Sequence, residues 1–231
     1  MAIVEQLHNV FNIRKEEGST VLRLLLFSFF QNMGLALLFA TANILYLSNV
    51  SIDTLPYVYV ATAAIMLLLE LVYEKLESFW TVGRIILSIL IGLVLSTLLF
   101  KFALDLDAKS TWVLFGLIVW ERAASLTANS EFGKVNAMIF DVRQSKRLFG
   151  LLGSAEIPAR IIGVLLAPLL LGVIEISDLL IFSSVFFGIS IIFFRRLQKT
   201  YPDKLNIIVR RGLSKLKASR KQNKGQFILD F

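Results

Sequence analysis

Residues 111–125 read TWVLFGLIVWERAAS. The first ten of these residues contain no charge, and Glu121 and Arg122 then follow side by side. If a helix begins at Thr111, a rise of 1.5 Å per residue places Glu121 about 15 Å along its axis. That depth is close to the middle of a hydrocarbon layer about 30 Å thick. The two charges therefore lie either at the centre of a membrane-spanning helix or at its end.

The composition of the whole chain favours a membrane protein. Of its 231 residues, 56% are hydrophobic and 18% are charged, and the mean hydropathy is +0.73. Soluble domains are about 25% charged, so this chain has too few polar side chains to cover the surface of a soluble domain. We therefore predict an all-α integral membrane protein that crosses the bilayer several times.

The sequence lacks the residues of a metal site or an enzyme active centre. Cysteine is absent, and His8 is the single histidine. These counts exclude disulfides and thiolate metal sites, and no acid–base pair at a fixed spacing is visible. We predict a protein without metal, cofactor or catalytic activity. No cleavable signal peptide is evident, because the first strongly apolar run begins only at Val21.

Six segments are long and apolar enough to span a membrane. They are residues 21–47, 55–74, 85–104, 111–128, 148–171 and 172–194, numbered here as spans one to six. The fifth and sixth meet within LGVIEISD, residues 171–178, so their shared boundary is uncertain by several residues. The short loops between the spans are expected for antiparallel neighbours.

Lysine and arginine are concentrated on one side of these six spans. Twenty of the 24 fall on the side that carries both termini, whereas Lys101 and Lys109 fall on the other side. Positively charged loops face the cytoplasm, so both termini are predicted to be cytoplasmic. The cytoplasmic cations after span four begin at Lys134, well beyond Glu121 and Arg122. Those two charges are therefore predicted to lie inside the span.

Two segments flank the six-span bundle of residues 21–194. Residues 1–20 contain an amphipathic pattern that predicts a helix on the membrane surface. Residues 195–231 hold eleven lysines and arginines against two aspartates, which predicts a cytoplasmic tail or central loop beside anionic lipid headgroups. The alternative is a helix packed on a soluble neighbouring domain. Nucleic acid is not a predicted partner, because the tail lacks interleaved aromatic residues.

Polar side chains inside the spans are the candidate functional residues. A charge at the bilayer centre costs about 2.5 kcal/mol or more, so it is normally paired or reaches water. The candidates are Gln31 and Asn32 in span one, Glu121 and Arg122 in span four, and Glu156 and Arg160 in span five. Glu121 and Arg160 lie at matched depths, which predicts an ion pair between spans four and five. Glu156 and Arg160 have the i,i+4 spacing of an intrahelical pair.

Each candidate also has a structural alternative. Gln31 and Asn32 are of the type that forms hydrogen bonds between packed helices, Glu156 and Arg160 can be a purely structural pair, and Pro158 is expected to kink span five. The functional interpretation follows from depth, because transporters place their substrate site near the bilayer midplane. An anionic solute favours Arg122 and Arg160 as contacts, and proton coupling favours Glu121.

Residues 120–153, WERAASLTANSEFGKVNAMIFDVRQSKRLFGLLG, resemble a known family. Glu121, followed by the Lys146–Arg147 pair in DVRQSKRLFGLLG, is similar to the fourth-span glutamate and cytoplasmic turn of the ATP/ADP (nucleotide) antiporters of plastids and intracellular bacteria. These antiporters are a distant branch of the major facilitator superfamily. FNIRKEEGSTVLRLLLFSFF, residues 11–30, also resembles the entry to their first span. The early-span lysine of the family has no counterpart here.

The resemblance implies one six-span half of a facilitator-type transporter, built from two three-helix repeats, in a bacterial inner membrane. It implies movement of an anionic, nucleotide-like solute by alternating access, with Glu121 as the coupling carboxylate. The predicted cytoplasmic gate consists of Asp141, Arg143, Lys146 and Arg147. A second half would be the rest of a longer protein, a second subunit or a second copy. The alternative function is a non-transporting six-span sensor or anchoring module fused to soluble domains.

Overall fold

The computed structural model describes residues 17–107 and 110–207, together with every side chain in those ranges except Val142 and Phe149. Most of the predicted surface helix at residues 1–20 lies outside these ranges. So do Lys109 and the part of the basic tail that follows residue 207.

The described residues form helices and short turns, with no strand among them. The helices are α1 Gly18–Asn49, α2 Leu55–Glu77, α3 Val82–Leu106, α4 Thr111–Ile139, α5 Val142–Ser154, α6 Glu156–Leu171, α7 Leu179–Thr200 and α8 Pro202–Leu205. Five helical segments are long and apolar enough to cross a membrane: Gly18–Asn49, Ile52–Glu77, Val82–Leu106, Gly150–Leu171 and Ile176–Thr200. The prediction of an all-α, multi-pass membrane protein is therefore confirmed.

The helix that carries Glu121 is less apolar and longer than predicted. α4 is not among the five apolar segments, because the polar residues from Glu121 onward lower its mean hydropathy. It continues to Ile139 instead of ending at residue 128. Lys134, which the sequence suggested to be a loop cation, therefore lies within the helix.

Predicted span five is broken into two helices at Ala155, where α5 ends and α6 begins. Pro158 explains the break, because a proline ring inside a helix clashes with the carbonyl four residues earlier, here that of Ser154. The interruption at Ala155 thus lies three residues before Pro158, where the sequence predicted a kink.

The predicted start of span six at residue 172 is wrong. α7 begins only at Leu179, after a 3-10 turn at Ile176–Asp178. The backbone N–H of Glu175 donates to a carboxylate oxygen of Asp178 at 3.3 Å, and this local contact closes the turn. α7 then continues to Thr200, beyond the predicted end at residue 194.

α1 is the central helix of the bundle, and small residues set its distance from two neighbours. It packs against α7, α6 and α4. A Cβ atom at Gly34 would lie 2.7 Å from the ring of Phe187 and 3.1 Å from the carbonyl oxygen of Ser183 on α7. A Cβ atom at Gly163 of α6 would lie 2.5 Å from the Cβ of Ala36. Small residues at such contacts let helix backbones approach closely within a membrane.

The remaining contacts follow a paired pattern. α2 packs against α4, and α6 packs in the same way against α1. Likewise, α3 contacts α4 and α7 contacts α1. α3 and α7 also pack against each other. Of the five apolar segments, those that contain α2 and α6 have the smallest buried share. Both helices therefore present broad apolar surfaces outward.

Candidate functional site

A cavity of about 150 Å³ lies between α1, α4 and α6. Its lining residues are Leu35, Ala36 and Phe39 from α1, Glu121 and Ser125 from α4, and Arg160 and Val164 from α6. This volume suits several water molecules at about 30 Å³ each. It is smaller than the roughly 300–1,000 Å³ of ligand pockets, so a solute would need further walls.

Glu121 is the buried carboxyl group of this cavity. Its side chain lies at the α1 and α6 face of α4 and is 3% exposed. The Ser125 hydroxyl, one helical turn further along, donates to its Oε1 at 3.0 Å. Its Oε2 is buried and has no hydrogen-bond partner among the described residues. The carboxyl group therefore retains an unused acceptor beside the cavity.

Arg160 lines the same cavity but is bonded elsewhere. Its Nη2 lies 2.8 Å from Oε1 of Glu156, which confirms the predicted intrahelical pair. Its Nε donates to Oδ1 of Asn32 on α1 at 3.3 Å. Within the described residues, no ion pair joins Arg160 to Glu121. The predicted ion pair between Glu121 and Arg160 is therefore wrong, although both side chains line one cavity.

Asn32 joins α1 to this network. Its Nδ2 donates to the carbonyl oxygen of Ser28 at 3.0 Å, which leaves Oδ1 free to accept from Arg160. Gln31 is adjacent in the chain and is buried within the bundle at 2% exposure. The charge of Arg160 is therefore shared between a carboxylate of its own helix and an amide of the central helix.

Arg122 points away from the cavity. Its guanidinium lies over the ring of Tyr59 on α2, 5.0 Å from the ring centroid. Adjacent residues of a helix are rotated by about 100° about its axis, so Glu121 and Arg122 contact different neighbours. Tyr59 supplies a cation–π contact. This partner could not be predicted from the sequence, because tyrosines are common near the ends of membrane spans.

Arg147, one of the four residues predicted to form a cytoplasmic gate, pairs with Glu17, a residue that the sequence did not single out. Gln144 Nε2 donates to Glu17 Oε1 at 2.8 Å, and Arg147 Nη2 forms an ion pair with Glu17 Oε2. Asp141 instead caps α5, since it and Gln144 form reciprocal side-chain to backbone bonds. The D-x-x-Q spacing is a readable capping signal. The contact between Glu17 and Arg147 spans 130 residues of chain.

The other two gate candidates are surface residues. Arg143 and Lys146 are exposed on α5. No ion pair involves either of them within ranges 17–107 and 110–207. The fold thus brings one member of the predicted gate set, Arg147, to a carboxylate partner.

A second buried carboxylate lies near the end of α4. Glu131 is 2% exposed and lies 3.4 Å from the ammonium of Lys134. That ammonium also lies 3.5 Å from the ring centroid of Tyr73 on α2. The sequence suggested a loop here, and only the extension of α4 reveals the cluster.

No family model, no curated protein and no solved structure matches this chain.

Proposed function

We propose that the chain is one six-span half of a facilitator-type transporter in a bacterial inner membrane, moving an anionic, nucleotide-like solute by alternating access. The observation that carries the proposal is Glu121. It is a buried carboxylate with an unused oxygen, beside a cavity that it shares with Arg160. Ionisable groups inside a membrane mark solute and proton pathways.

α4 is the proposed sixth crossing, and contacts at the helix ends support this count. Arg23 near the start of α1 donates to Thr200 at the end of α7. Lys204 donates to the carbonyl oxygen of Ile139 at the end of α4 at 2.6 Å. The start of α1 and the ends of α4 and α7 thus share one side of the bundle, as six crossings require. The lysine and arginine bias favours the cytoplasm for that side.

The paired helix contacts support two three-helix repeats. In this arrangement α1, α2 and α3 of one repeat correspond to α4, α6 and α7 of the other. The contact between α1 and α6 then corresponds to the contact between α4 and α2. The contact between α1 and α7 corresponds in the same way to the contact between α4 and α3. Internal repeats of this kind are common in transporters, with the solute site near the bilayer midplane. The cavity adjoins α1 and α4, two helices that this correspondence relates.

A second six-helix half would cover the outward surfaces of α2 and α6. These helices expose large apolar side chains, among them Tyr57, Leu68 and Leu71 of α2 and Ile161 and Leu165 of α6. α2 packs against α4, and α6 packs against α1. A second half placed there would also supply the walls that a cavity of 150 Å³ lacks.

The charges suggest how an anionic solute would bind. Arg160 is 43% exposed and is held by Glu156 and Asn32. A phosphate offers an arginine a bidentate contact that a single carboxylate oxygen does not. The solute would therefore compete with Glu156 for Arg160. Glu121 would respond to that change through the shared cavity.

The competing function is a sensor or anchoring module. Such a module needs a closed, dry bundle in which the charges neutralise each other directly. The cavity and the unused oxygen of Glu121 favour the transporter instead.

Exchange measurements on reconstituted vesicles test the proposal. Vesicles preloaded with ADP are expected to take up radiolabelled ATP only when they contain the chain. Uptake without preloaded ADP would point to a uniporter. Uptake equal to that of empty vesicles, for ATP, ADP and inorganic phosphate alike, would contradict the proposal.

The contact between Glu17 and Arg147 gives a separate prediction. Arg147→Ala is expected to destabilise the protein by about 2 kcal/mol, because Glu17 then keeps a largely buried charge without this partner. Lys146→Ala, next to it but exposed, is expected to change the stability little. The measurement is thermal unfolding in detergent, and the exchange Glu17→Arg with Arg147→Glu should restore part of the loss. Equal effects of the two alanine variants would contradict a gate contact at Arg147.

A further inference from the structure

A groove at the end of α7 lies outside the proposed solute site. It encloses about 700 Å³. Arg195, Arg196 and Lys199 line it from α7, Pro202 and Asn206 line it from the segment that follows, and Ile192 lies one turn earlier in α7. Gln198 donates to Asn206 at 3.2 Å, and this bond fixes the wall of the groove between α7 and α8.

Three cations, Arg195, Arg196 and Lys199, line the α7 groove. No ion pair joins Arg195, Arg196 or Lys199 to a carboxylate in the part of the chain that the structure describes. Their spacings are i,i+3 and i,i+4, at which like charges on a helix repel. Residues 208–231 hold seven more cations and one aspartate, so the following sequence adds positive charge. An external anion would relieve this repulsion.

An exposed tryptophan beside the groove indicates that this region meets the membrane interface. The backbone N–H of Val82 donates to the carbonyl oxygen of Ile207 at 3.3 Å, so the turn that carries Trp80 lies beside the groove. Trp80 is 40% exposed, and tryptophan is enriched where membrane meets water. Cationic side chains at this level meet phosphate headgroups.

An exposed apolar track leads from the groove along α7. Ile192, Val185 and Ile181 are all exposed, and their spacings of seven and four residues place them on one face. The track begins one turn below Arg195 and continues away from the helix end. A ligand with a phosphate and a long apolar chain matches both parts, whereas a free phosphate matches only the first.

We infer that the α7 groove binds an anionic phospholipid, with its phosphate at Arg195, Arg196 and Lys199 and an acyl chain along the track from Ile192. Arginine suits this contact because its guanidinium binds phosphate oxygens in a bidentate manner. The site is separate from the cavity at Glu121, so its occupancy does not depend on the proposed transport function.

Lipid retention tests the site directly. The chain is reconstituted in nanodiscs of mixed phosphatidylglycerol and phosphatidylcholine, released into mild detergent, and its bound lipid is counted by native mass spectrometry. The double variant Arg195→Gln with Lys199→Gln is expected to retain phosphatidylglycerol about thirtyfold less, because two interfacial cations are removed. Arg195→Lys, which keeps the charge, should retain most of it. Phosphatidylcholine should be retained weakly by every variant.

The matched control is Lys217→Gln with Lys221→Gln, which removes the same charge from the tail. It should leave the retained phosphatidylglycerol unchanged, and an equal loss in both double variants would assign the lipid to the tail and overturn the inference. Displacement of the lipid by millimolar inorganic phosphate would identify a free-phosphate site instead, which also overturns it. Thermal unfolding of each variant checks that the helices remain packed.

Discussion

Replacing Glu121 by glutamine is expected to reduce ATP–ADP exchange by about tenfold or more, equivalent to about 1.4 kcal/mol in the transport barrier. Glutamine has the size of glutamate and can still accept the bond from Ser125. It cannot carry the negative charge that faces the cavity, and it cannot take up or release a proton there. The loss should therefore appear in transport and not in folding, and both are measured on the same reconstituted protein.

Glu70→Gln is the matched control for this prediction. Glu70 lies in the apolar segment Ile52–Glu77 but is exposed on α2 and does not line the cavity. Its replacement should leave exchange near the wild-type rate. If Glu121→Gln exchanges nucleotide as fast as Glu70→Gln does, then Glu121 is a structural residue and the coupling role is wrong.

Gly34→Ala is expected to destabilise the bundle by about 2 kcal/mol, as overpacking of a close contact does. The added methyl group would lie 2.7 Å from the ring of Phe187, which is fully buried, and 3.1 Å from a backbone carbonyl oxygen. The same clash would disturb the Ser183 hydroxyl, which donates to the Gly34 carbonyl oxygen at 2.7 Å. Thermal unfolding in detergent measures the effect.

Gly188→Ala on α7 is the matched control, and it is not expected to destabilise the bundle. A Cβ atom there meets nothing within 4 Å, and alanine favours a helix over glycine by about 0.5–1 kcal/mol. Gly188→Ala should therefore unfold at or above the wild-type temperature, and Gly34→Ala below it. The packing of α1 against α7 would be contradicted if both variants unfolded at the wild-type temperature or above it.

The sequence predicted the apolar helices because length and hydropathy depend only on local residues. The break before Pro158 and the pair of Glu156 and Arg160 were predictable for the same reason. The extension of α4 was not, because the polar residues after Ala128 suggest a loop. Glu131 is buried there by contact with α2 and Lys134, and that environment exists only in the folded bundle.

The depth of the side chains around Glu121 could be predicted from the sequence, but the direction in which they point could not. Counting residues places Glu121 and Arg160 at similar heights, and both line one cavity. Counting residues does not show which way each side chain points from its helix. Arg160 pairs with Glu156, one turn away on its own helix, and not with Glu121. Glu17 lies 130 residues from Arg147 in the chain, so only tertiary structure reveals their contact.

Water and solute are expected to reach the cavity beside Glu121, and thiol labelling can measure this access. The chain has no cysteine, so single substitutions give one reactive thiol each. Val164, which lines the cavity, and Val185, on the outer face of α7, are similarly exposed at 46% and 53%. Only the first is expected to meet water, where a cysteine thiol can ionise to the thiolate that attacks the reagent.

In reconstituted vesicles, Val164→Cys is expected to react with a membrane-impermeant charged thiol reagent, and ATP is expected to slow that reaction. Val185→Cys is expected to remain unlabelled because lipid surrounds it. Equal labelling at the two positions, no labelling at Val164→Cys, or labelling that ATP leaves unchanged would contradict a solute pathway at Glu121.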